Sequence, residues 1–493
     1  MRHNRAPGRL SGSAAQSEVA RKRHSFDAAA LLTIWVFAVM LIPANLVVKP
    51  LGAVGTPGQL LGLLALGWWL SFQLDRPRAT LSTAQPVRRA MLVFVLANLA
   101  SYVVAATRPI ETLELSAADR GLLLVFSWLG IVLLTSDGMS TLARLDTVLR
   151  RLALTGGLAA TLGVAQFFTG MAFIDKVQIP GLSPNNDLTS VYARNGFARA
   201  AGTSTHPIEF GVMLTMILPI ALHYAFTDTH RGRFSRWFPV VAIAVAVPVT
   251  LSRSALIGVI VVLAVLMPSW TARRRRLTST AAGSLLLVVY LGVPGLLGTM
   301  IRLFSGIAAD DSARSRTDSY ALAWQFISHW PVFGRGVSTF LPMYRILDNQ
   351  YLGLVIETGI VGLMTFLILV VTGIRVATKL RKASTDATTR SLALALIATV
   401  AAAACAYATF DAFGFPQVAG LTFFALGCIS TLHGATIRAA RAPRSAEPLA
   451  QALSSVDDPH TSSRTADLWT AEPEGSTSLS SVAPQNAIEG TSR

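Results

Sequence analysis

Apolar stretches long enough to cross a membrane recur along most of this sequence. Each holds roughly 17 to 25 residues, and about 20 helical residues are needed to cross a hydrocarbon core of about 30 Å. The chain has 493 residues, of which 52% are hydrophobic and 14% charged, so it is more apolar than an ordinary soluble domain. The sequence therefore predicts an all-α, polytopic integral membrane protein.

The pattern predicts about twelve transmembrane helices. The apolar run from Trp237 to Pro268 is divided in two because Ser252 and Arg253 interrupt it, and eleven spans is the alternative count. The predicted spans start at Ala28, Gly58, Ala90, Gly121, Arg151, His206, Trp237, Ser254, Leu277, Gln350, Leu392 and Phe415.

The distribution of charge predicts the topology. The formal net charge is +16, and basic runs such as "RKRH", "RGRFSR" and "RRRR" occupy alternate loops. The positive-inside rule then places both termini in the cytoplasm. We interpret these runs as topology signals that contact anionic membrane lipid, and not as a surface for nucleic acid. Residues 1–26 and 436–493 are polar and predicted to be disordered cytoplasmic tails, which flank a membrane domain at 27–435.

Two external connections are long, 170–205 and 302–349. Long loops in compact domains are usually functional. The second contains "SRTDSYALAWQFISHWPVFGRG", in which Tyr320, Trp324 and Ile327 recur at helical spacing, with Phe326 as a further candidate for that face. This spacing predicts an amphipathic helix along the membrane face.

Several charged residues near the outer face do not follow the topological bias. Arg253, in "TLSRSALIG", has apolar sequence on both sides, and a charge so placed usually faces a wet cavity or a fixed anion. The alternatives are a snorkelling side chain or an ion pair with an acid such as Asp411. Arg199 precedes a span that begins with His206, and Glu209 follows one turn later. An alternative role for His206 is simply to start that helix.

Arg314 and Arg316 open the predicted loop helix, where a solvated helix face is the alternative interpretation for each. An enclosed site with several arginines suits a diphosphate, because the guanidinium group offers bidentate hydrogen bonds and keeps its charge. Asp348 and Asn349 lie where this loop meets the tenth span, and Glu357 follows about two turns into that span.

Four motifs occur in an order that resembles the O-antigen ligase and polymerase superfamily of bacterial envelope proteins. They are "GTSTHPIEFGVML", "TLSRSALIG", "RTDSYALAWQFISHWPVFGRGVSTF" and "DNQYLGLVIETGIVGLMTFL", within about residues 195–372. The resemblance implies a helical membrane fold of the GT-C kind. It also implies transfer of a glycan from an undecaprenyl-diphosphate carrier to an acceptor hydroxyl at the outer side of the cytoplasmic membrane, without a metal or other cofactor.

The resemblance also implies roles for particular residues. Arg253 corresponds to the arginine of the family's S-R motif, and Arg316 to the arginine that opens the loop helix. Asp348 and Gly359 match the family's H-x10-G pattern, except that this chain has Asp where the ligases have the His proposed as the base. Asp348, Arg253 and Arg316 are thus the catalytic candidates. The substrate-binding candidates are Arg199, His206, Glu209, Arg314, Arg335, Asn349 and Glu357.

The predicted function is that of a glycan polymerase or ligase. Its predicted partners are a polyprenyl-diphosphate-linked donor, a glycan or lipid-glycan acceptor and membrane lipid. The first external loop, "KPLGAVGTPG", lacks the acidic pair that metal-dependent GT-C enzymes usually carry there. The alternative is a transporter or flippase for an anionic solute or lipid-linked sugar, in which the same arginines bind cargo without breaking a bond.

Overall fold

The computed structural model describes residues 27–74, 85–139, 141–185, 193–194, 196–305 and 311–441. The predicted tail 1–26 and residues 442–493 of the predicted tail 436–493 lie outside the described residues, whereas residues 436–441 are helical and not disordered. The chain divides into two units, Met1–Ala439 and Ala440–Arg493, and every site discussed below lies in the first.

Helices make up most of the described residues. They are α1 (Ala28–Leu41), α2 (Pro57–Leu74), α3 (Pro86–Thr107), α4 (Thr112–Gly138), α5 (Leu142–Thr169), α6 (Pro207–Thr227), α7 (Arg233–Val249), α8 (Arg253–Leu266), α9 (Ala272–Gly292), α10 (Leu296–Ser305), α11 (Asp311–His329), α12 (Gln350–Ala383), α13 (Ala387–Ala406) and α14 (Pro416–Arg441).

Two short antiparallel strand pairs lie in the connections between helices. Strand β1 (Leu46–Val47) pairs with β2 (Ser183–Pro184), and β3 (Ala193–Arg194) pairs with β4 (Phe197–Ala198). The first pair ties the connection after α1 to the long connection that follows α5.

Each predicted span falls on a helix, α1 to α9 or α12 to α14. Only seven described helices, α3 to α6 and α12 to α14, are long and apolar enough to cross a membrane alone, and α9 with α10 makes an eighth if that pair, bent by 113°, is one span. The count of twelve spans is therefore not confirmed. One cause is that apolar sequence continues past helix ends: α1 ends at Leu41 because Ile42 is extended before Pro43.

The division of the run from Trp237 to Pro268 is confirmed as a break between two helices. Helix α7 ends at Val249, Leu251 has a φ of 48°, and the Ser252 side chain accepts a hydrogen bond from Ala255 N–H at the start of α8. A serine at this position satisfies one of the unpaired donors of a helix N-terminus. Arg253 is thereby fixed as the first residue of α8.

Helices α6 and α14 form the centre of the bundle. In each, 89% of the most apolar 18-residue window is buried, a larger share than in the other candidate spans. Helices α5, α7, α8 and α13 pack against α6. On α14, Gly420 lies against the Trp35 ring and Gly427 against Thr135, so small residues allow neighbouring helices to approach closely.

An aromatic cluster fills the interior between α3, α4, α12 and α14. The Trp128 and Phe423 rings stack with centroids 4.8 Å apart, and Phe366 stacks on Tyr407 at 5.7 Å. Phe413 contacts Trp128 with ring centroids 4.8 Å apart. Aromatic packing of this kind makes a rigid base, and the cavity described below opens above it.

Helix α12 is broken at Gly359. This residue has φ 66° and ψ −171°, so α12 consists of a first segment, 350–358, and a second segment, 360–383. The loop 330–336 lies against the break, where Arg335 N–H donates to Ile356 C=O at 2.9 Å and Ile360 N–H donates to Pro331 C=O at 3.0 Å. The loop therefore replaces the helical hydrogen bonds that the break removes.

The predicted loop helix is present as α11. Ala323, Phe326 and Ile327 face inward and pack with the loop and with α12. Tyr320 and Trp324 are 53% and 69% exposed. Ile327 and Phe326 of the predicted apolar face therefore pack inward, and contact of Tyr320 and Trp324 with the membrane stays a prediction.

Candidate functional site

A cavity of about 230 Å³ lies between α3, α4, the first segment of α12 and two loops. We call it the loop cavity, because residues 337–349 cover one side of it. Its base includes Trp128 and Phe413 of the aromatic cluster. The described polar and charged residues that line it are Asn98, Ser338, Arg345, Asn349, Gln350, Glu357, Thr358 and Asp411.

Glu357 is held in the loop cavity by the strand of chain that covers it. Its carboxylate accepts hydrogen bonds from the backbone N–H groups of Ser338 and Phe340. Ser338 has a φ of 55°, and the N–H of Thr339, between these two donors, bonds to Gly336 C=O instead. The Glu357 carbonyl, freed by the break at Gly359, accepts from Gly336 N–H and from the Ser101 hydroxyl, at 2.9 and 2.8 Å. Glu357 thus lies on the cavity side of α12, as predicted, and its first partners are backbone groups.

Asn349 is both a cavity residue and the N-terminal cap of α12. Its Oδ1 accepts hydrogen bonds from Tyr351 N–H and Leu352 N–H, at 3.1 and 3.3 Å. Asn is among the best residues for this position. The oxygen of Asn349 is therefore committed to the helix.

Asp348, the proposed base, lies at the edge of the loop cavity. Leu347 and Asn349 on either side of it line the cavity, and Asp348 is half-buried with a φ of 49°. This positive φ is a left-handed backbone conformation, which Asp tolerates better than most residues.

Asp411 lies within the loop cavity and interacts electrostatically with Asp348. Burial, together with the negative charge of Asp348, raises the pKa of the Asp411 carboxyl from 3.8 to about 6. Two nearby carboxyl groups resist ionising together. A carboxyl that titrates close to neutral pH is a better general base than an unperturbed one.

The segment 407–415 contacts His206, the neighbour of Arg253 and the start of α12. Ser254, next to Arg253, accepts a hydrogen bond from the Thr409 hydroxyl at 2.7 Å. Arg199 Nε donates to the Thr250 carbonyl at 3.1 Å, and the rings of His206 and Phe415 have centroids 6.3 Å apart.

The same segment holds the start of α12. Gln350 N–H donates to Tyr407 C=O at 2.8 Å, and Phe413 N–H donates to the Gln350 side chain at 2.7 Å. The segment 407–415 therefore links the Arg253 end of α8 to the Asp348 end of α12. Neither Arg199 nor Arg253 is among the described residues that line the loop cavity.

His206 caps α6 as a neutral imidazole. Its Nδ1 accepts a hydrogen bond from Ile208 N–H at 3.1 Å. Burial, and the nearby charge of Arg199, lower the pKa of His206 from 6.5 to about 4. With Nδ1 occupied as an acceptor, the neutral ring carries its proton on Nε2 and can only donate from that atom. His206 is therefore placed to donate a hydrogen bond and not to act as a base.

Glu209 is fully buried at the centre of the bundle. One carboxylate oxygen accepts from the Thr205 N–H and hydroxyl at 2.9 and 2.8 Å, and the other accepts from Gln417 N–H at 2.9 Å. The Gln417 side chain continues this network to Val39 C=O and to the Ser204 hydroxyl. The structure thus gives Glu209 the role of joining the N-termini of α6 and α14, away from the loop cavity.

Arg335 is paired inside the loop instead of facing the cavity. Its guanidinium group forms an ion pair with Glu114 of α4, which also pairs with Arg108 at 2.9 Å. The Tyr344 hydroxyl donates to Glu114 at 2.5 Å, and Arg335 stacks over the rings of Phe326 and Tyr344. These contacts fix the loop to α3 and α4, so the structure gives Arg335 a positioning role.

Arg314 and Arg316 lie in the first turns of α11, but their side chains lie outside the described part of the structure. Their proposed contact with a diphosphate stays a prediction. Within the described residues, no group of three or more His, Cys, Asp or Glu side chains has the arrangement of a metal site.

The structure adds two residues that the site prediction did not include. Arg345 lines the loop cavity, and its Nε donates to the Ser319 hydroxyl at 2.8 Å. Asp411, which the sequence suggests only as an alternative ion partner of Arg253, also lines the cavity. The sequence held a signal for both, since Arg345 lies three residues before Asp348 and Asp411 is an acid at the end of an apolar helix.

A comparison with protein families identifies part of the chain. The family model described as O-antigen ligase matches residues 238–367. The chain carries an O-antigen ligase domain. This match confirms the resemblance to the O-antigen ligase and polymerase superfamily. No curated protein matches the chain.

The O-antigen ligase domain contains Arg253, Arg345, Asp348 and Glu357, whereas His206 precedes it and Asp411 follows it. This domain and the several long apolar helices together indicate a bacterial membrane protein. The family acts in general on lipid-linked glycans and has a glycosyltransferase-like function.

Proposed function

We propose that this protein transfers glycan units from a polyprenyl-diphosphate carrier to an acceptor hydroxyl at the outer face of the cytoplasmic membrane, as a polymerase or ligase. The observation that carries the proposal is the loop cavity, which brings Arg345, Glu357 and Asp411 of separate segments together beside Asp348. The outer-face location of the loop cavity is inferred from the positive-inside rule. That rule puts the 302–349 loop on the opposite side of the membrane from both chain termini.

The reaction needs two kinds of group. A carboxylate removes the proton of the acceptor hydroxyl as that oxygen bonds to the anomeric carbon. The bond between this carbon and the phosphate oxygen breaks, and the leaving diphosphate gains negative charge. Fixed guanidinium groups stabilise that charge without reorganisation. Arg345 lines the cavity, while Arg253, Arg316 and Arg199 are the further candidates from the sequence.

The two carboxyl groups Asp348 and Asp411 supply the base in this proposal. Asp411 lies in the cavity and its pKa of about 6 suits a base at neutral pH. Asp348 matches the family's base position and raises the basicity of Asp411 through its charge. Glu357, already bonded to Ser338 and Phe340, orients the covering loop, and as a lining residue of the cavity it is the candidate partner of the sugar hydroxyls.

The test is glycan transfer by purified protein reconstituted with a lipid-linked donor. Asp348→Asn and Asp411→Asn should each lower transfer by about 10² to 10⁴-fold, as expected for loss of a general base or its partner. Arg253→Ala and Arg345→Ala should each lower transfer by about 10² to 10³-fold. Arg302→Ala is the matched control, because Arg302 is an exposed arginine of α10, in the same external region, and does not line the cavity.

Two results would oppose the proposal. Full transfer by both Asp348→Asn and Asp411→Asn would remove the proposed base. Movement of intact lipid-linked sugar across the bilayer, with no new glycosidic bond, would favour a transporter. In a deletion strain, accumulated single repeat units would indicate a polymerase, and accumulated carrier-bound polymer a ligase.

A further inference from the structure

A second cavity, of about 170 Å³, lies at the other end of α6 from His206. Its wall comes from the first half of α5, the last turns of α6 and the first turns of α7. Helix α6 has 21 residues, so at 1.5 Å per residue the cavity lies about 30 Å from His206 along the helix axis, close to the thickness of a hydrocarbon core. The loop between α6 and α7 is the basic run "RGRFSR", which the topology places in the cytoplasm.

This basic cavity carries excess positive charge. Four arginines line it, Arg150, Arg151, Arg231 and Arg236, together with one acid, Asp228. Asp228 is buried, and its carboxylate lies 3.1 Å from Arg150 Nε and 3.6 Å from Arg231 Nε. Asp146 lies close enough to Arg150 to interact with its charge. Two carboxylates cannot neutralise four guanidinium groups.

Arg236 and Arg151 supply the charge that Asp228 does not balance. The Nε of Arg236 is buried and has no hydrogen-bond partner among the described residues. Arg151 donates from Nη1 to the Thr33 hydroxyl at 2.6 Å, a neutral partner. Buried donors without partners cost free energy, so a bound anion that accepts from Arg236 would offset a cost already present in the fold.

The rest of the wall is apolar. Ala153, Leu154, Ala221 and Pro239 line the cavity on the membrane side of the arginines. Leu154 is 43% exposed, on the outside of the bundle, where an acyl chain can lie against it. A charged head and an adjoining apolar wall match a lipid better than a free anion.

We propose that the basic cavity binds the phosphate group of an anionic phospholipid from the cytoplasmic leaflet. Arginine suits this role because its planar donors pair with phosphate oxygens, and basic pockets between helices on this side of a membrane bind such head groups. The Tyr224 ring, with Arg150 over it at 5.2 Å and its hydroxyl bonded to Asp146 at 3.0 Å, holds Arg150 at the rim. The site is separate from the loop cavity and does not depend on the transferase proposal.

The experiment measures lipid binding by the full-length protein in detergent. Dioleoyl phosphatidylglycerol is compared with dioleoyl phosphatidylcholine, and glycerol 3-phosphate serves as the soluble phosphate. Native mass spectrometry gives the affinity of each probe, and the melting temperature with and without probe gives an independent readout. The site variant is Arg236→Gln, and the matched control is Arg233→Gln, which removes the same charge from the same helix at an exposed position that does not line the cavity.

We expect the wild type and Arg233→Gln to bind phosphatidylglycerol at least about tenfold more tightly than phosphatidylcholine. Arg236→Gln should lose about tenfold in affinity for phosphatidylglycerol, the usual effect of removing one charge-assisted hydrogen bond, and should keep its affinity for phosphatidylcholine. If Arg236→Gln does not fold, Arg151→Gln on the facing helix is expected to give the same loss.

Three results would overturn the proposal. Equal losses in Arg236→Gln and Arg233→Gln would show attraction by diffuse surface charge. Equal affinity for glycerol 3-phosphate and phosphatidylglycerol would show a soluble-anion site without a lipid component. No preference for phosphatidylglycerol over phosphatidylcholine in the wild type would show that the cavity does not select an anionic head group.

Discussion

Replacement of Gly359 by Ala tests how the external loop is attached to α12. A Cβ at this position would lie 2.2 Å from the Val332 carbonyl oxygen and 2.6 Å from Gly334 N, distances that no relaxed structure has. The conformation itself, φ 66° and ψ −171°, lies in a region used almost only by Gly, and a side chain there costs about 1 to 3 kcal/mol. Since both clashing atoms belong to the backbone, the loop must move.

Moving the loop removes further stabilisation. Four backbone hydrogen bonds join the loop 330–336 to α12 at the break. Arg335 and Gly336 donate two of them at 2.9 Å, and Ile360 and Val361 donate the other two at 3.0 and 3.2 Å. At about 1 kcal/mol each, their loss adds about 4 kcal/mol to the strain. We therefore expect Gly359→Ala to lower the free energy of unfolding by about 5 to 7 kcal/mol if all four bonds break, and by no less than about 1 kcal/mol if the helix absorbs the change.

The assay combines denaturant unfolding in detergent micelles with hydrogen exchange of the amides of the loop and of α12. Gly67→Ala is the control, because a Cβ at Gly67, in the helical α2, meets no atom within 4 Å and Ala favours a helix by about 1 kcal/mol. The reasoning is refuted if Gly359→Ala keeps the unfolding free energy of Gly67→Ala and the same slow exchange at Gly336 and Ile360.

Three further substitutions test other contacts. Glu209→Gln replaces one carboxylate oxygen by an amide nitrogen, which cannot accept the hydrogen bond from Gln417 or, in the other orientation, those from Thr205. The free energy of unfolding should therefore fall by about 1 to 3 kcal/mol, and unchanged unfolding in denaturant would contradict this. Tyr344→Phe should cost about 1 kcal/mol and speed proteolysis of the external loop, whereas an unchanged digestion rate would show that the bond to Glu114 does not hold the loop. The raised pKa of Asp411 means that, between pH 4 and 6, the folded state holds a proton that the unfolded state has lost. The free energy of unfolding of the wild type should therefore fall by up to about 3 kcal/mol as the pH rises through that range. Asp411→Asn should not show this fall, and parallel pH curves for the two proteins would argue against a buried, perturbed carboxyl.

The helices were predictable because apolar length and helix-stopping residues are local properties. Each predicted span falls on a helix, and even the short break at Ser252 was visible as a polar interruption. The number of membrane crossings was less predictable, because composition does not show that a run such as the one after Leu41 leaves the helix at an extended residue before Pro43. That outcome depends on backbone geometry and on the strand pair that follows.

The site was predictable as a region and less so residue by residue. Asp348, Asn349 and Glu357 lie at the loop cavity or its edge because all three belong to one short segment around the start of α12. Glu209 and Arg335 are instead satisfied by Gln417 and Glu114, which lie 208 and 221 residues away in sequence. Pairings at such separations follow from the packing of the bundle, and no local pattern encodes them.

The spacing between Asp348 and Gly359 has a mechanical explanation in this fold. The segment 350–358 is held at one end by the Asn349 cap and by Tyr407, and at the other end by loop residues that bond to the break at Gly359. Glu357 lies just before the break and Asp348 just before the cap, so one rigid segment sets the distance between the two carboxyl groups. A one-residue insertion within the segment would rotate Glu357 by about 100° relative to Asp348 and remove it from the cavity wall, without altering either residue. A glycine at that fixed distance is therefore what allows the loop to approach the helix closely enough to close the cavity, and loss of transfer in such an insertion, with the helical content retained, would show that the spacing itself is required.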